Sequence, residues 1–147
     1  MATLNIYLTF KDNCEEAFEF YKSVFGTEYQ SFNRFSDMPD NHGFPVSDSD
    51  KNKIMHVSLP VSHDSVLMGS DTVGGHQPEL VAGNNFSISF HTIHREEADS
   101  VFGALSKGGK VIMPLADTFW GSYFGSLTDR FGINWMISCD LGQNQAL

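Results

Sequence analysis

The sequence predicts an α+β fold built from two β-α-β-β-β modules, and three observations carry that prediction. A period-two segment followed by an apolar stripe at helical spacing occurs twice. Each stripe ends on glycine, the residue best suited to close a helix. After each come three short strand-like segments set off by turn residues, so the second half repeats the grammar of the first.

In the first module, Asn5 to Phe10 alternates polar and apolar residues as a half-buried strand does. Asp12 or Asn13 can cap the helix that follows. Within it Ala17, Phe18, Tyr21, Val24 and Phe25 form one stripe, stopped by Gly26. A strand is expected from Glu28 to Phe35. The polar stretch Ser36 to Lys53, with two Pro, one Gly and four Asp, reads as a loop. Ile54–Leu59 and Ser65–Gly69 then read as two strands joined by a turn around His63-Asp64.

Thr72 to Gly83 is a second loop, separating module one (about 3–70) from module two (about 85–139). Phe86, Ile88 and Phe90 alternate with Ser87, Ser89 and His91 in the next strand. Ala98, Val101, Phe102 and Leu105 form the second helical stripe, ended by Gly108-Gly109. Lys110–Met113, Gly121–Leu127 and Ile133–Ser138 supply the last three strands, the final pair joined by the turn Asp129-Arg130-Phe131-Gly132.

A helix must cover one face of its own sheet. Ile6, Leu8 and Phe10, and likewise Phe86, Ile88 and Phe90, supply that covered face. The opposite face then carries Asn5, Tyr7 and Thr9 in one module and Ser87, Ser89 and His91 in the other. A sheet face with polar groups and no helix over it is a natural floor for a small-molecule pocket.

Composition narrows the partners. The chain has 147 residues, enough for one domain with a real core, and 13 of them are Phe. A net charge of −9, from 18 acidic and 9 basic residues with no basic cluster, argues against nucleic acid and against anionic membrane surfaces. The first ten residues lack the pattern of a secretory signal, and no apolar run is long enough to span a bilayer. Cys14 and Cys139 stand far apart without a CxxC pairing, so neither a disulfide framework nor a zinc knuckle is indicated. A cytoplasmic location is expected.

The segment Ala17-Phe18-Glu19-Phe20-Tyr21-Lys22-Ser23-Val24-Phe25-Gly26 resembles the first-helix signature A-x-x-F-Y-x-x-x-(L/F)-G of the vicinal-oxygen-chelate superfamily. That superfamily includes glyoxalase I, bleomycin-resistance proteins and fosfomycin-resistance enzymes. The run from Asp117 to Gly125, with Thr128 to Ile137, is similar to the closing signature of its PhnB-like branch. The resemblance covers nearly the whole chain. It implies the glyoxalase/bleomycin resistance/dihydroxybiphenyl dioxygenase-like fold, a small-molecule ligand and a homodimer. Many members of the branch carry a ubiquinone-pathway methyltransferase label, but the chain has no GxGxxG turn for a methyl-donor cofactor.

In the metal-dependent members, ligands sit on the first and last strands of each module. The matching positions fall near Asn5 or Ile6, near Met68 or Gly69, at Ser87, and near Met136. None is His or Glu, so no metal and no other cofactor is expected.

His56 is the leading candidate for chemistry. Alternation in Ile54-Met55-His56-Val57-Ser58-Leu59 puts His56 and Ser58 on the face away from the helix. There a histidine can act as general base or as a donor to a ligand oxygen, or serve as a hydrogen-bonded structural residue. Tyr7, Ser58, Ser87 and Ser89 are the candidate pocket floor, and Phe119, Trp120, Tyr123 and Phe124 a candidate aromatic wall. The same aromatics also suit core or subunit packing. Asp117 can hold a ligand group or a turn.

Other patterns are weaker. Asp48-Ser49-Asp50-Lys51-Asn52 opens like a calcium loop, but Lys53 replaces the required glycine and Leu59 the closing Glu. His91, His94, Glu96 and Glu97 sit at a strand-to-helix junction, where acids suit the helix dipole. Cys14 opens a helix without a basic neighbour in sequence.

The functional expectation is a small-molecule binding protein of the resistance or sequestration type, its ligand in the concave sheet pocket. The alternative is a lyase or isomerase of glyoxalase type using His56 as acid–base, with an atypical metal or none. An interaction module without ligand is a third reading, opposed by the polar groups on the uncovered face.

Overall fold

Alternation along the first strand does what the pattern demands: Leu8 and Phe10 are buried while Tyr7 and Thr9 are exposed. The computed structural model describes residues 2–39, 46–74 and 79–142. Its internal contacts divide the chain into two units, Met1–Val81 and Ala82–Leu147.

Unit one runs β1 (Ile6–Phe10), α1 (Cys14–Phe25), β2 (Ser31–Arg34), β3 (Ile54–Ser62) and β4 (Ser65–Asp71). The sheet order is β1-β4-β3-β2, with β1 and β4 parallel and the other pairs antiparallel. Unit two repeats this plan with β5 (Ile88–Thr92), α2 (Arg95–Ser106), β6 (Lys110–Asp117), β7 (Ser122–Thr128) and β8 (Asn134–Asp140). Its order is β5-β8-β7-β6, and β5 and β8 are again the parallel pair. The α+β reading and the doubled β-α-β-β-β plan both hold.

Each helix buries its stripe on one sheet face. Ala17, Phe18 and Tyr21 are fully buried with Leu8, Val57, Leu59 and Leu67. Phe18 meets Phe10 and Tyr21 edge to face at 6.1 and 5.6 Å. It fits because β4 carries Gly69: a Cβ there would stand 2.6 Å from Phe18 Cε2 and 2.9 Å from the Leu8 carbonyl. Unit two uses the same device at Gly125, where a Cβ would stand 2.8 Å from Phe102 Cε2. Ala98, Leu105, Leu127, Trp135 and Ile137 complete that core.

The start of α1 differs from the sequence expectation. Asn13 occupies the cap position but its side chain makes no capping bond. Asp71, at the end of β4, does that work from 57 residues away, its Oδ1 accepting from the Cys14 N–H at 3.0 Å. Its Oδ2 accepts from the Ile54 N–H at 2.9 Å, tying helix and β3 to one buried carboxylate. Burial raises the Asp71 carboxyl above its ordinary value, against the pull of these two backbone donors; Asp12 adds to the rise and Lys53 opposes it.

Several boundaries also move. β5 begins at Ile88, so Phe86 and Ser87 precede the strand and are exposed. β6 continues past Met113 to Asp117 with a shift in its pairing between Met113 and Ala116. It is the last strand of its sheet, where Pro114 removes no ladder bond that an interior strand would need. The short 3₁₀ turns Phe35–Asp37 and Asp48–Asp50 lie at the start and near the end of the Ser36–Lys53 stretch.

Candidate functional site

In each unit the face opposite the helix is set by register. Tyr7 pairs with Met68, and Met68 with Ser58, so these three side chains form one row across β1, β4 and β3. Next to that row stands His56, whose ring stacks on Tyr7 with centroids 5.9 Å apart and planes 29° apart. Tyr7 is 49% exposed and His56 half-buried, so the stack borders open space. Ser58 is buried and its hydroxyl donates to Gln30 Oε1 at 3.2 Å. The stack offers an aromatic plane and an imidazole able to donate or accept.

Unit two has the matching row Ser89, Met136 and Ser126. Beside it His91 pairs with Ser138, and Nδ1 of His91 lies 3.0 Å from Ser138 Oγ. On the other side of the ring, Nε2 lies 3.6 Å from Asp140 Oδ2. Phe124 is the register partner of Ser138 and shares its face.

The sequence-nominated residues are therefore only partly brought together. Tyr7, His56 and Ser58 share the open face of unit one, and Ser89 lies on that of unit two. Ser87 lies outside β5. Phe119 and Trp120 form the tip of the β6–β7 hairpin, 98% and 56% exposed, packed edge to face on each other at 5.1 Å. Trp120 also touches Phe124 at 6.1 Å between ring centroids.

Tyr123 departs from the aromatic wall. It alternates with Phe124 onto the helix side, where its ring lies 4.0 Å from the Arg95 guanidinium and its hydroxyl donates to Asp99 at 2.5 Å. That bond, with burial, raises the phenol above its ordinary value. Asp117 holds Arg95 at 2.7 Å on the same side.

Sequence reasoning missed Ser138 and Asp140 as open-face residues, and left Met68 undecided against Gly69. Their period-two spacing was visible, but the strand pairings that align them with His91 and His56 were not.

The other patterns resolve locally. Asp48 pairs with Lys51, and Asp50 with Lys53, which also reaches Asp12. Cys14 is buried beside Asp71, and burial followed by that carboxylate pushes its thiol far above the usual range, removing the thiolate a nucleophile needs.

The superfamily metal positions do not fit a divalent ion. Asn5 Oδ1 is taken by the Val66 N–H at 3.2 Å, Gly69 lies under Phe18, and Met68 and Met136 offer only thioethers. Among the described residues no three His, Cys, Asp or Glu side chains converge as ligands. No helix of the described residues is long and apolar enough to cross a membrane.

Residues 2–138 match the family model described as 3-demethylubiquinone-9 3-methyltransferase. The chain is 38% identical to protein PA1353 of Pseudomonas aeruginosa, covering 95% of this chain and 98% of that one, with a TM-score of 0.81. It is 26% identical to the PhnB protein of Bacillus cereus, covering 94% and 99%, with a TM-score of 0.70. A glyoxylase/bleomycin resistance protein/dioxygenase domain from Frankia sp. EAN1pec shares the fold, at 12% identity, 95% and 98% coverage and a TM-score of 0.64.

The family description names a methyl transfer, and the strand-to-helix connections of the described residues bear on it. A methyl-donor nucleotide is commonly held at a glycine-rich turn from a parallel strand into a helix. Here the two strand-to-helix connections are Lys11-Asp12-Asn13 and Ile93-His94, without glycine, and both sheets are mixed.

Proposed function

The chain belongs to the PhnB-like family of glyoxalase/bleomycin-resistance-fold proteins, and from that premise we propose that it binds a small organic molecule on the open faces of its sheets. One observation carries the reading: the Tyr7–His56 stack, an aromatic plane and an imidazole side by side on a sheet face no helix covers. Small-molecule sites are commonly lined by aromatic side chains with a few placed polar groups, and the stack supplies both. His56 gives or takes a hydrogen bond from the ligand, and Tyr7 covers one of its flat sides.

The proposal includes a homodimer. It is supported by Val111, Ile112 and Met113 on the outermost strand of unit two, all more than two-fifths exposed. Such a strand invites pairing unless something covers it. A cytoplasmic setting is the remaining part, supported by two buried, unpaired cysteines.

The test is a thermal-shift screen of a small-molecule collection against the wild-type protein, Tyr7→Ala and His56→Ala. Hits that raise the wild-type melting temperature and lose most of that shift in Tyr7→Ala support the reading. Hits indifferent to Tyr7 and His56 contradict it. The glyoxalase-type alternative rests on the same histidine and requires turnover of an α-keto or epoxide substrate that disappears in His56→Ala.

A further inference from the structure

Resting on the small-molecule reading above, we propose that the open face of unit two is a subsite for the cationic end of an organic amine. Its carboxylate is Asp140, with a side chain 76% exposed. Its nearest partner among the described residues, His91 Nε2, stands 3.6 Å away, beyond a full hydrogen bond, so the carboxylate keeps its charge available to a ligand cation. Ser138 Oγ, 3.0 Å from the other ring nitrogen, adds a second acceptor on the same face.

Aromatic surface lies alongside. Phe124 is register partner to Ser138, and Trp120 packs against Phe124. The backbone keeps this hairpin tip next to Asp140: the Leu141 N–H donates to the Gly121 carbonyl at 3.0 Å, and Ser122 pairs with Asp140. A carboxylate beside exposed aromatic faces is the combination that recognises alkylammonium and flat aromatic cations.

Anions find nothing comparable. Among the described residues, the rows named above carry no Lys or Arg; Lys110 shares the open face of unit two, opposite Thr128, but at the end of the sheet away from the Ser122–Asp140 pair. Arg95, the cation of α2, is held on the helix side by Asp117 and by the ring of Tyr123. A net charge of −9 raises the local concentration of cations further. The chemistry thus selects a cationic or neutral aromatic ligand over a phosphonate, phosphate or sulfonate.

The test uses berberine, a flat quaternary ammonium, and 8-anilinonaphthalene-1-sulfonate, an anion of similar reach, in fluorescence titrations. The full chain is compared with Asp140→Asn, with Tyr7→Ala, and with Asp64→Asn, which removes an equal charge from the exposed β3–β4 turn. Berberine should bind at least tenfold more tightly than the sulfonate. Asp140→Asn should weaken it about tenfold, and Asp64→Asn by less than about twofold. Equal affinity for the two probes, no berberine binding, or equal effects of the two Asp variants would each overturn the subsite. Berberine binding that Tyr7→Ala abolishes and Asp140→Asn leaves intact would remove this subsite while retaining the small-molecule reading.

Discussion

The two units share a plan and differ in how each secures the same junction. In unit one the last residue of the strand parallel to β1 is Asp71, opposite Phe10. In unit two the matching position is Cys139, opposite Thr92. Asp71 accepts from two buried backbone donors of α1 and β3. Cys139 donates a weak S–H bond to the Ile93 carbonyl at 3.3 Å, and the Thr92 hydroxyl donates to the His94 carbonyl at 3.0 Å. One unit buries a charge to anchor its helix, and the other uses a thiol and a hydroxyl. The repeat therefore conserves geometry and lets the chemistry of each anchor drift.

Breaking those anchors should give the largest effects. Asp71→Ala strands two buried N–H groups at about 1–3 kcal/mol each, so a loss of about 2–6 kcal/mol is expected in urea unfolding. Cys139→Ala should cost only about 1 kcal/mol, since its donor is weak. Equal losses would mean that the carboxylate is not the principal anchor of unit one.

Next comes the glycine that admits each helix. Gly69→Ala presses a methyl against Phe18 and the Leu8 carbonyl and should cost about 1–3 kcal/mol. Gly125→Ala meets Phe102 and the Leu115 N–H at nearly the same separations and should cost a similar amount. A second change, Phe18→Leu, should recover much of the Gly69→Ala loss.

The smallest effects are electrostatic, and they run in opposite directions. Glu15 is joined to Arg34 by two bonds of 2.9 and 2.8 Å, and that guanidinium lowers the Glu15 carboxyl. A lowered carboxyl contributes stability above its unfolded value near about 4.3, lost as pH falls through the folded value. Asp71 is raised, so the part of stability that comes from its titration is present at low pH and lost as pH rises through its folded value, while its two backbone bonds continue to anchor the junction. Arg34→Met should therefore cost less than about 1 kcal/mol at neutral pH, because the pair is partly exposed, and nothing in strong acid. Melting temperatures of both proteins across that range check the sign.

Much of this architecture was legible in the sequence because it is local. The stripes Ala17-Phe18-Tyr21 and Ala98-Val101-Phe102-Leu105 and the alternation of β1 each lie within a dozen residues. Tyr7 and His56 were placed on the open face by alternation alone. What the sequence hid is whatever depends on pairing between distant segments. The cap of α1 comes from Asp71, across 57 residues. His91 meets Ser138 only because β5 and β8 lie parallel in register. Tyr123 was grouped with Phe119 and Trp120 by proximity along the chain, yet a one-residue alternation turns it to Arg95 on the other face.

The central claim, binding on the open faces, is tested most directly by methyl NMR. Met68 and Met136 occupy corresponding positions at the centre of the two open rows, where ε-methyl labelling reports contact without altering the protein. Titration with a ligand from the thermal-shift screen should shift the Met68 or Met136 signal, or both, and leave Met38 and Met55 in place. Shifts confined to Met38 and Met55, or none with any stabilising compound, would contradict the account.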